Sequence, residues 1–282
     1  MEGRRTLASE VAATGVALHA GVPVQMRMQP AAAETGIVFR RGDLSGSPSI
    51  EALWSNVSQT RLGTVLSSGG VSVAVVEHLM AALAGAGIDD CLIEIDGPEP
   101  PILDGDALSY LRLIDQAGSR EAAAPRQTIR VIRPVEIDLD GASVKLLPAS
   151  VAEFSFEIDF KSTAIGRQSF ACVLTPENFR REIAPARTFG FYEQAEAMRA
   201  AGFGRGADLK NTLVVDGDAL MNPELSRYSD EFVRHKILDA IGDMKLAGAP
   251  LQARFEGRRS SHALNNAALR ALFADPANYA LV

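Results

Sequence analysis

The sequence predicts an α+β protein built in two rounds, each with strands first and helices after, and three observations carry that reading. Period-two alternation of apolar and polar residues opens each half of the 282-residue chain. Helix-type segments close each half. Between them lies SREAAAPRQ, residues 119–127, which has the composition of a linker. Strands gathered ahead of helices argue for α+β layers rather than a parallel sheet of βαβ units.

In the first half, Val22, Val24, Met26 and Met28 alternate with Pro23, Gln25, Arg27 and Gln29, the pattern of a half-buried strand. GIVFR, residues 36–40, reads as another. The β-branched run from Val71 to Val76 gives way to a helix-like EHLMAALAG, which Gly85 and Gly87 would end. CLIEID, residues 91–96, is a strand, and GPEPPILDG, residues 97–105, is a turn-rich loop. A helix over about 106–117 follows, closed by Gly118. In the second half, Ile129 and Val131, then Val135, Ile137 and Leu139, mark strands, and Asp140-Gly141 signals a hairpin. EFSFEIDF, residues 153–160, puts Phe154, Phe156, Ile158 and Phe160 on one face. Thr175-Pro176 reads as a helix start. A long helix is expected over roughly 230–247, and another from about 262.

A composition of 47% hydrophobic and 22% charged residues is that of a soluble globular protein with a sizeable core. The net charge of −7 argues against a nucleic-acid partner but not against an anionic small molecule, for which one pocket cation suffices. The two cysteines, Cys91 and Cys172, make no disulfide framework, so a reducing cytoplasm is the expected compartment. MEGRRTLASE carries no apolar stretch behind its charges, which predicts no signal peptide. The most apolar segment, Val71 to Ile88, holds Glu77 and His78 at its middle and is a poor membrane span.

The four histidines are His19, His78, His235 and His262. His235, Asp239 and Asp243 stand four residues apart and share one face of the expected long helix. An imidazole and two carboxylates beside apolar residues are costly to bury unless paired or metal-bound. Histidine and aspartate one turn apart suit zinc. Taken alone, the stripe reads more readily as the solvated face of an amphipathic helix, since a lone HxxxD is common by chance. Glu77-His78 stands at a strand-to-helix junction; alone, it is a helix-starting glutamate beside a packed histidine. Together with the stripe it supplies a third ligand and a carboxylate able to take a proton from water. His262, after the Gly257 turn, reads alone as a structural or exposed residue; as a functional one it could protonate a leaving amine or stabilise an oxyanion, with Asp243 to hold it cationic. Glycines in ARTFGF (186–191) and GFGRGADLKNTLVV (202–215) suggest a loop able to approach a ligand. Arg187, Thr188 and Lys210 there are candidates for phosphate or carbonyl groups, though the loop reads equally as a mobile surface segment.

Seven stretches in order, TGVALHAG, VEHLMAALAGAGID, PILDG, ARTFGF, LKNTLV, DEFVRHKILDAIGD and SHALNN, cover nearly the whole chain. On them the sequence resembles the UDP-3-O-acyl-N-acetylglucosamine deacetylases, zinc enzymes of lipid A synthesis. The resemblance implies His78, His235 and Asp239 as zinc ligands, Glu77 as general base and His262 as general acid or oxyanion partner, oriented by Asp243. It implies Thr188 as a hydroxyl polarising the amide carbonyl. Lys236 is matched to substrate phosphate and Phe160 to uracil, with His19 and Lys210 as further substrate contacts. Phe189 and an insert at about 190–212 are matched to an apolar passage for the acyl chain, beside which Asp208 would set a carboxylate. The implied fold is two similar domains, 1–124 and 125–282, each a small sheet with packed helices and a short insert, forming a β-α-α-β sandwich. The implied partner is a small UDP-acyl-sugar and the implied state a cytoplasmic monomer. A diverged relative acting on another N-acetyl sugar, or a non-catalytic UDP-sugar or acyl-chain binder, are the competing readings.

Overall fold

The computed structural model describes residues 3–282. Alternating patterns become strands with one face inward: along Pro23–Pro30, Val24, Met26 and Met28 are buried while Pro23, Gln25 and Arg27 face out. The first half forms a sheet from β1 (Val11–Val16), β2 (Pro23–Pro30), β3 (Ile37–Arg41), β4 (Ser49–Glu51) and β5 (Cys91–Ile95), in the order β1-β2-β5-β3-β4. Helix α1 (Glu77–Gly85) precedes β5, and α2 (Leu108–Ala117) follows it. The second half repeats the plan with β6 (Val135–Leu139), β7 (Ala142–Leu147), β8 (Glu153–Asp159), β9 (Arg167–Val173) and β10 (Arg254–Arg258). Their order is β6-β7-β10-β8-β9. After α3 (Tyr192–Ala200), helix α4 (Glu231–Lys245) precedes β10 and α5 (His262–Ala274) follows it.

The two sheets match pair for pair. Each is antiparallel except where its last strand inserts beside the third, β5 with β3 and β10 with β8, both parallel. The layering is α+β as expected, and the duplication, invisible as sequence identity, is present in the topology. Helices lie between the sheets: α1 packs closely on α4, α2 on β1, α4 on β8 and β9, and α5 on β6 and β7. One apolar core runs through both halves, from Phe39 and Leu79 to Phe255 and Leu269.

Several local expectations hold. Asp140 and Gly141 both take positive φ (52° and 75°) in the turn between β6 and β7. Gly118 ends α2 at φ 66°. Others are corrected. Residues 119–127 are not simply a linker: Ser119–Pro125 is a strand, antiparallel to Gly3–Leu7. Its own residues have weak strand preference, and the partner strand's backbone hydrogen bonds decide its conformation. Thr175 caps a helix start, its hydroxyl accepting from the Asn178 N–H at 3.1 Å, but the helix lasts only from Pro176 to Asn178 before a wider turn at Phe179–Ile183. The strand expected to reach Val76 stops at Val73, and Val75 takes φ 55°.

Candidate metal centre and its surroundings

The two central helices meet at the residues singled out by sequence. Glu77 and His78 form the first turn of α1, and His235, Asp239 and Asp243 line one face of α4. All five are buried, at 4% exposure or less. Gly242 permits this meeting, because a β-carbon there would collide with the backbone of Glu77.

His78, His235 and Asp239 offer ligand atoms that all lie within 4.8 Å of one another. The Nε2 atoms of His78 and His235 stand 3.6 and 3.4 Å from Asp239 Oδ1. That oxygen is buried and accepts no hydrogen bond. Two nitrogens facing an unsatisfied oxygen at this spacing fit the edges of a tetrahedral zinc site, about 3.3 Å for bonds of about 2.0–2.1 Å. His235 Nδ1–H donates to the Ala186 carbonyl at 3.1 Å, which leaves Nε2 with a free lone pair. Burial holds its pKa down at about 3, so the ring is neutral, as a ligand must be. Burial would raise the Asp239 carboxyl, but the adjacent Lys236 ammonium outweighs it and holds the group well below the usual range. Lys236 Nζ donates to Asp239 Oδ2 at 2.6 Å. The donor set and its unsatisfied oxygen fit a divalent zinc-like ion.

Beside the triad, burial pushes the Glu77 carboxyl up, making it a stronger base. Its Oε1 lies 3.9 Å from His262 Nε2. His262 opens α5, where the Ser261 hydroxyl accepts the Leu264 N–H at 3.5 Å. Its Nδ1–H donates to Asp243 Oδ2 at 2.8 Å. Burial opposes its charge, but the Asp243 and Glu77 carboxylates outweigh this and push its pKa up to about 9. A carboxylate suited to act as a base and a cationic imidazole thus face one small volume beside a candidate metal-binding triad. That is the equipment for metal-assisted hydrolysis of an amide.

The family model for UDP-3-O-acyl N-acetylglycosamine deacetylase matches residues 4–274. The chain belongs to this deacetylase family. A UDP-3-O-acyl-N-acetylglucosamine deacetylase of Phenylobacterium zucineum (strain HLK1) is 49% identical over 264 residues, 93% of this chain and 90% of that protein. One from Anaeromyxobacter sp. (strain Fw109-5) is 43% identical over 99% of this chain and 91% of its own length. One from Neisseria meningitidis (strain FAM18) is 42% identical over 98% and 92%.

The other deacetylase-motif residues fall in four places. Thr188 lies two residues beyond Ala186, whose carbonyl holds His235; its N–H donates to Gly105 O at 2.8 Å. Phe189 packs edge-on against His235 (centroids 6.3 Å apart), and Phe160 packs edge-on against Phe189 (5.8 Å). Lys210 is exposed, on the turn after Asp208. His19 has both ring nitrogens engaged. Gly204 N–H donates to Nδ1 at 3.2 Å, so Nε2 carries the proton and donates to Leu62 O at 2.9 Å. It clasps the insert of the second half to a loop of the first. The insert folds as Phe189–Phe191, α3 and Leu213–Asp216 around a cavity of about 220 Å³, lined mainly by apolar residues such as Phe191, Ala195, Met198, Val214 and Met221. Asp208 lines it too, but its Oδ1 is held in a turn by the N–H groups of Lys210 (2.8 Å) and Asn211 (3.1 Å).

Sequence reasoning missed three residues. Glu99, 3% exposed, accepts the N–H groups of His19 and Ala20 at 2.8 and 2.9 Å, anchoring that loop. Asn265 donates to Asp243 Oδ2 at 2.8 Å, and it was within reach because SHALNN contains it. Thr64 contacts both Glu77 and Asp243, and nothing in RLGTVL signals it.

Proposed function

We propose that this chain is a zinc-dependent amidohydrolase that removes acetate from UDP-3-O-acyl-N-acetylglucosamine, a step of lipid A synthesis. The observation that carries the reading is the buried triad His78, His235 and Asp239 with Glu77 and His262 facing the same volume, in a chain of the deacetylase family. Zinc, when bound, supplies a Lewis acid that lowers the pKa of water and polarises a carbonyl. Glu77 takes a proton from the water that attacks the acetamide carbon. The Thr188 hydroxyl hydrogen-bonds the carbonyl oxygen as its charge grows. As the new C–O bond forms and the C–N bond breaks, His262 gives its proton to the leaving nitrogen, held in place by Asp243. Acetate and the free amine of glucosamine result.

For the substrate, Lys236 is read as the cation for phosphate, Phe160 as the surface for uracil, and Phe189 with the cavity of the 190–212 insert as the seat of the acyl chain. His19 and Lys210 are read as further substrate contacts. The predominantly apolar lining of the cavity and the tethering of Asp208 favour an acylated sugar over a simpler N-acetyl sugar. The protein acts as a cytoplasmic monomer of two domains, 1–124 and 125–282; no described helix is long and apolar enough to cross a membrane. Acetate release from the UDP-acyl-sugar by the zinc-loaded protein tests the reading. A rate no higher than that of Glu77→Ala would overturn it.

A further inference from the structure

We propose that Thr64 is a positioning residue that joins the base and the proton-delivering pair into one hydrogen-bonded unit. The inference rests on the roles given above to Glu77 and His262. Thr64 is 1% exposed and directly precedes the strand Val65–Ser68. It uses every polar atom it has toward the site. Its N–H donates to Glu77 Oε2 at 2.9 Å. Its hydroxyl donates to Asp243 Oδ1 at 2.6 Å. Its carbonyl accepts the Val76 N–H, next to Glu77, at 3.4 Å.

The arrangement completes Asp243. Oδ2 of that buried carboxylate receives His262 Nδ1–H and the Asn265 amide, both at 2.8 Å. Among the described residues, the Thr64 hydroxyl is the donor on Oδ1. A buried carboxylate with one oxygen left bare turns toward another donor, and the imidazole bonded to it turns with it. The same residue also fixes which way Glu77 faces. The preceding Gly63 leaves no slack, since a β-carbon there would lie 3.1 Å from Glu77 Oε1. Thr64 belongs to the first half of the chain, whereas Asp243, His262 and Asn265 belong to the second. It therefore sets the base and the acid relative to each other across the junction, where small displacements are costly in rate. Valine would fill the same space, so bulk alone does not account for a hydroxyl aimed at the carboxylate.

The test compares zinc-loaded parent protein with Thr64→Val, Thr64→Ser, Asp243→Asn and the double variant Thr64→Val/Asp243→Asn. Thr64→Val is expected to lower kcat roughly tenfold to a hundredfold while KM stays within about twofold. Thr64→Ser should recover most of the loss. The double variant should be no slower than Asp243→Asn alone, because threonine acts through that carboxylate. If the valine protein does not fold, Thr64→Ala carries the same comparison. A second readout is independent of turnover: the downfield Nδ1–H proton resonance of His262 in the metal-free protein, expected to move in Thr64→Val and return in Thr64→Ser. An unchanged kcat, a fully additive double variant or an unmoved resonance overturns the proposal. If the parent releases no acetate, the deacetylase reading falls, and the resonance still decides the role of Thr64.

Discussion

A β-carbon placed on Gly242 would lie 2.0 Å from the backbone carbonyl oxygen of Glu77. The absence of a side chain at this one position lets α4 approach the first turn of α1, and so brings His78 together with His235 and Asp239 in one candidate metal site. Gly242→Ala must push the helices apart. We expect a loss of about 1–3 kcal/mol in stability, as for other overpacked cores. Zinc affinity and activity should fall at least tenfold, because His78 moves away from His235 and Asp239. Chemical denaturation and metal titration check this, and a variant with parental zinc affinity would contradict it.

Zinc should also stabilise the fold. An ion that binds only the folded chain adds about 2.7 kcal/mol at a hundred times its Kd. Chelation should therefore lower Tm by roughly 5–10 °C for a chain of this size. Asp239→Asn should shrink that difference; a chelation effect as large as the parent's would argue against the triad.

The His262 imidazole, raised to about 9, has a definite signature in the metal-free protein. A group whose pKa is raised on folding contributes stability that is fully present below its unfolded value, near 6.5, and is lost as pH climbs through the folded one. Stability from this pair should thus decline between about pH 6.5 and 9, and Asp243→Asn should flatten the slope. Urea denaturation across that range, with NMR titration of the ring, measures both. A ring titrating near 6.5 in the parent would refute the assignment.

His19 should act on substrate acceptance more than on the chemical step, because its two ring nitrogens hold Gly204 and Leu62 together. His19→Ala should raise KM for the acylated substrate about tenfold while kcat changes little. His19→Gln, able to span part of the same gap, should lie between. A fall in kcat at constant KM would instead place the ring at the reacting atoms.

The clustering of the candidate metal site was legible because its parts are local in sequence: Glu77-His78 is a dipeptide, and His235, Asp239 and Asp243 repeat at helical spacing. What remained hidden is tertiary. Thr64 reaches Asp243 across 179 positions, and Glu99 reaches the His19 loop across 79 and 80. No local pattern encodes such pairs. The strand at Ser119–Pro125 was misread for the same reason, since its partner lies at the other end of the first half. The duplication showed in the repeated order of strands and helices but not in side-chain identity. The two sheets share hydrogen-bonding order, which any apolar alternation satisfies, so side-chain identities are free to diverge.

That divergence has a consequence for how the protein comes to be active. One copy of the plan carries Glu77 and His78; its counterpart carries His235, Asp239 and His262. Neither holds the whole set, so affinity for a metal at the proposed site would belong to the seam and not to either repeat. Ion capture then reports that the repeats have docked, and a chain whose halves fold but fail to join would be metal-blind.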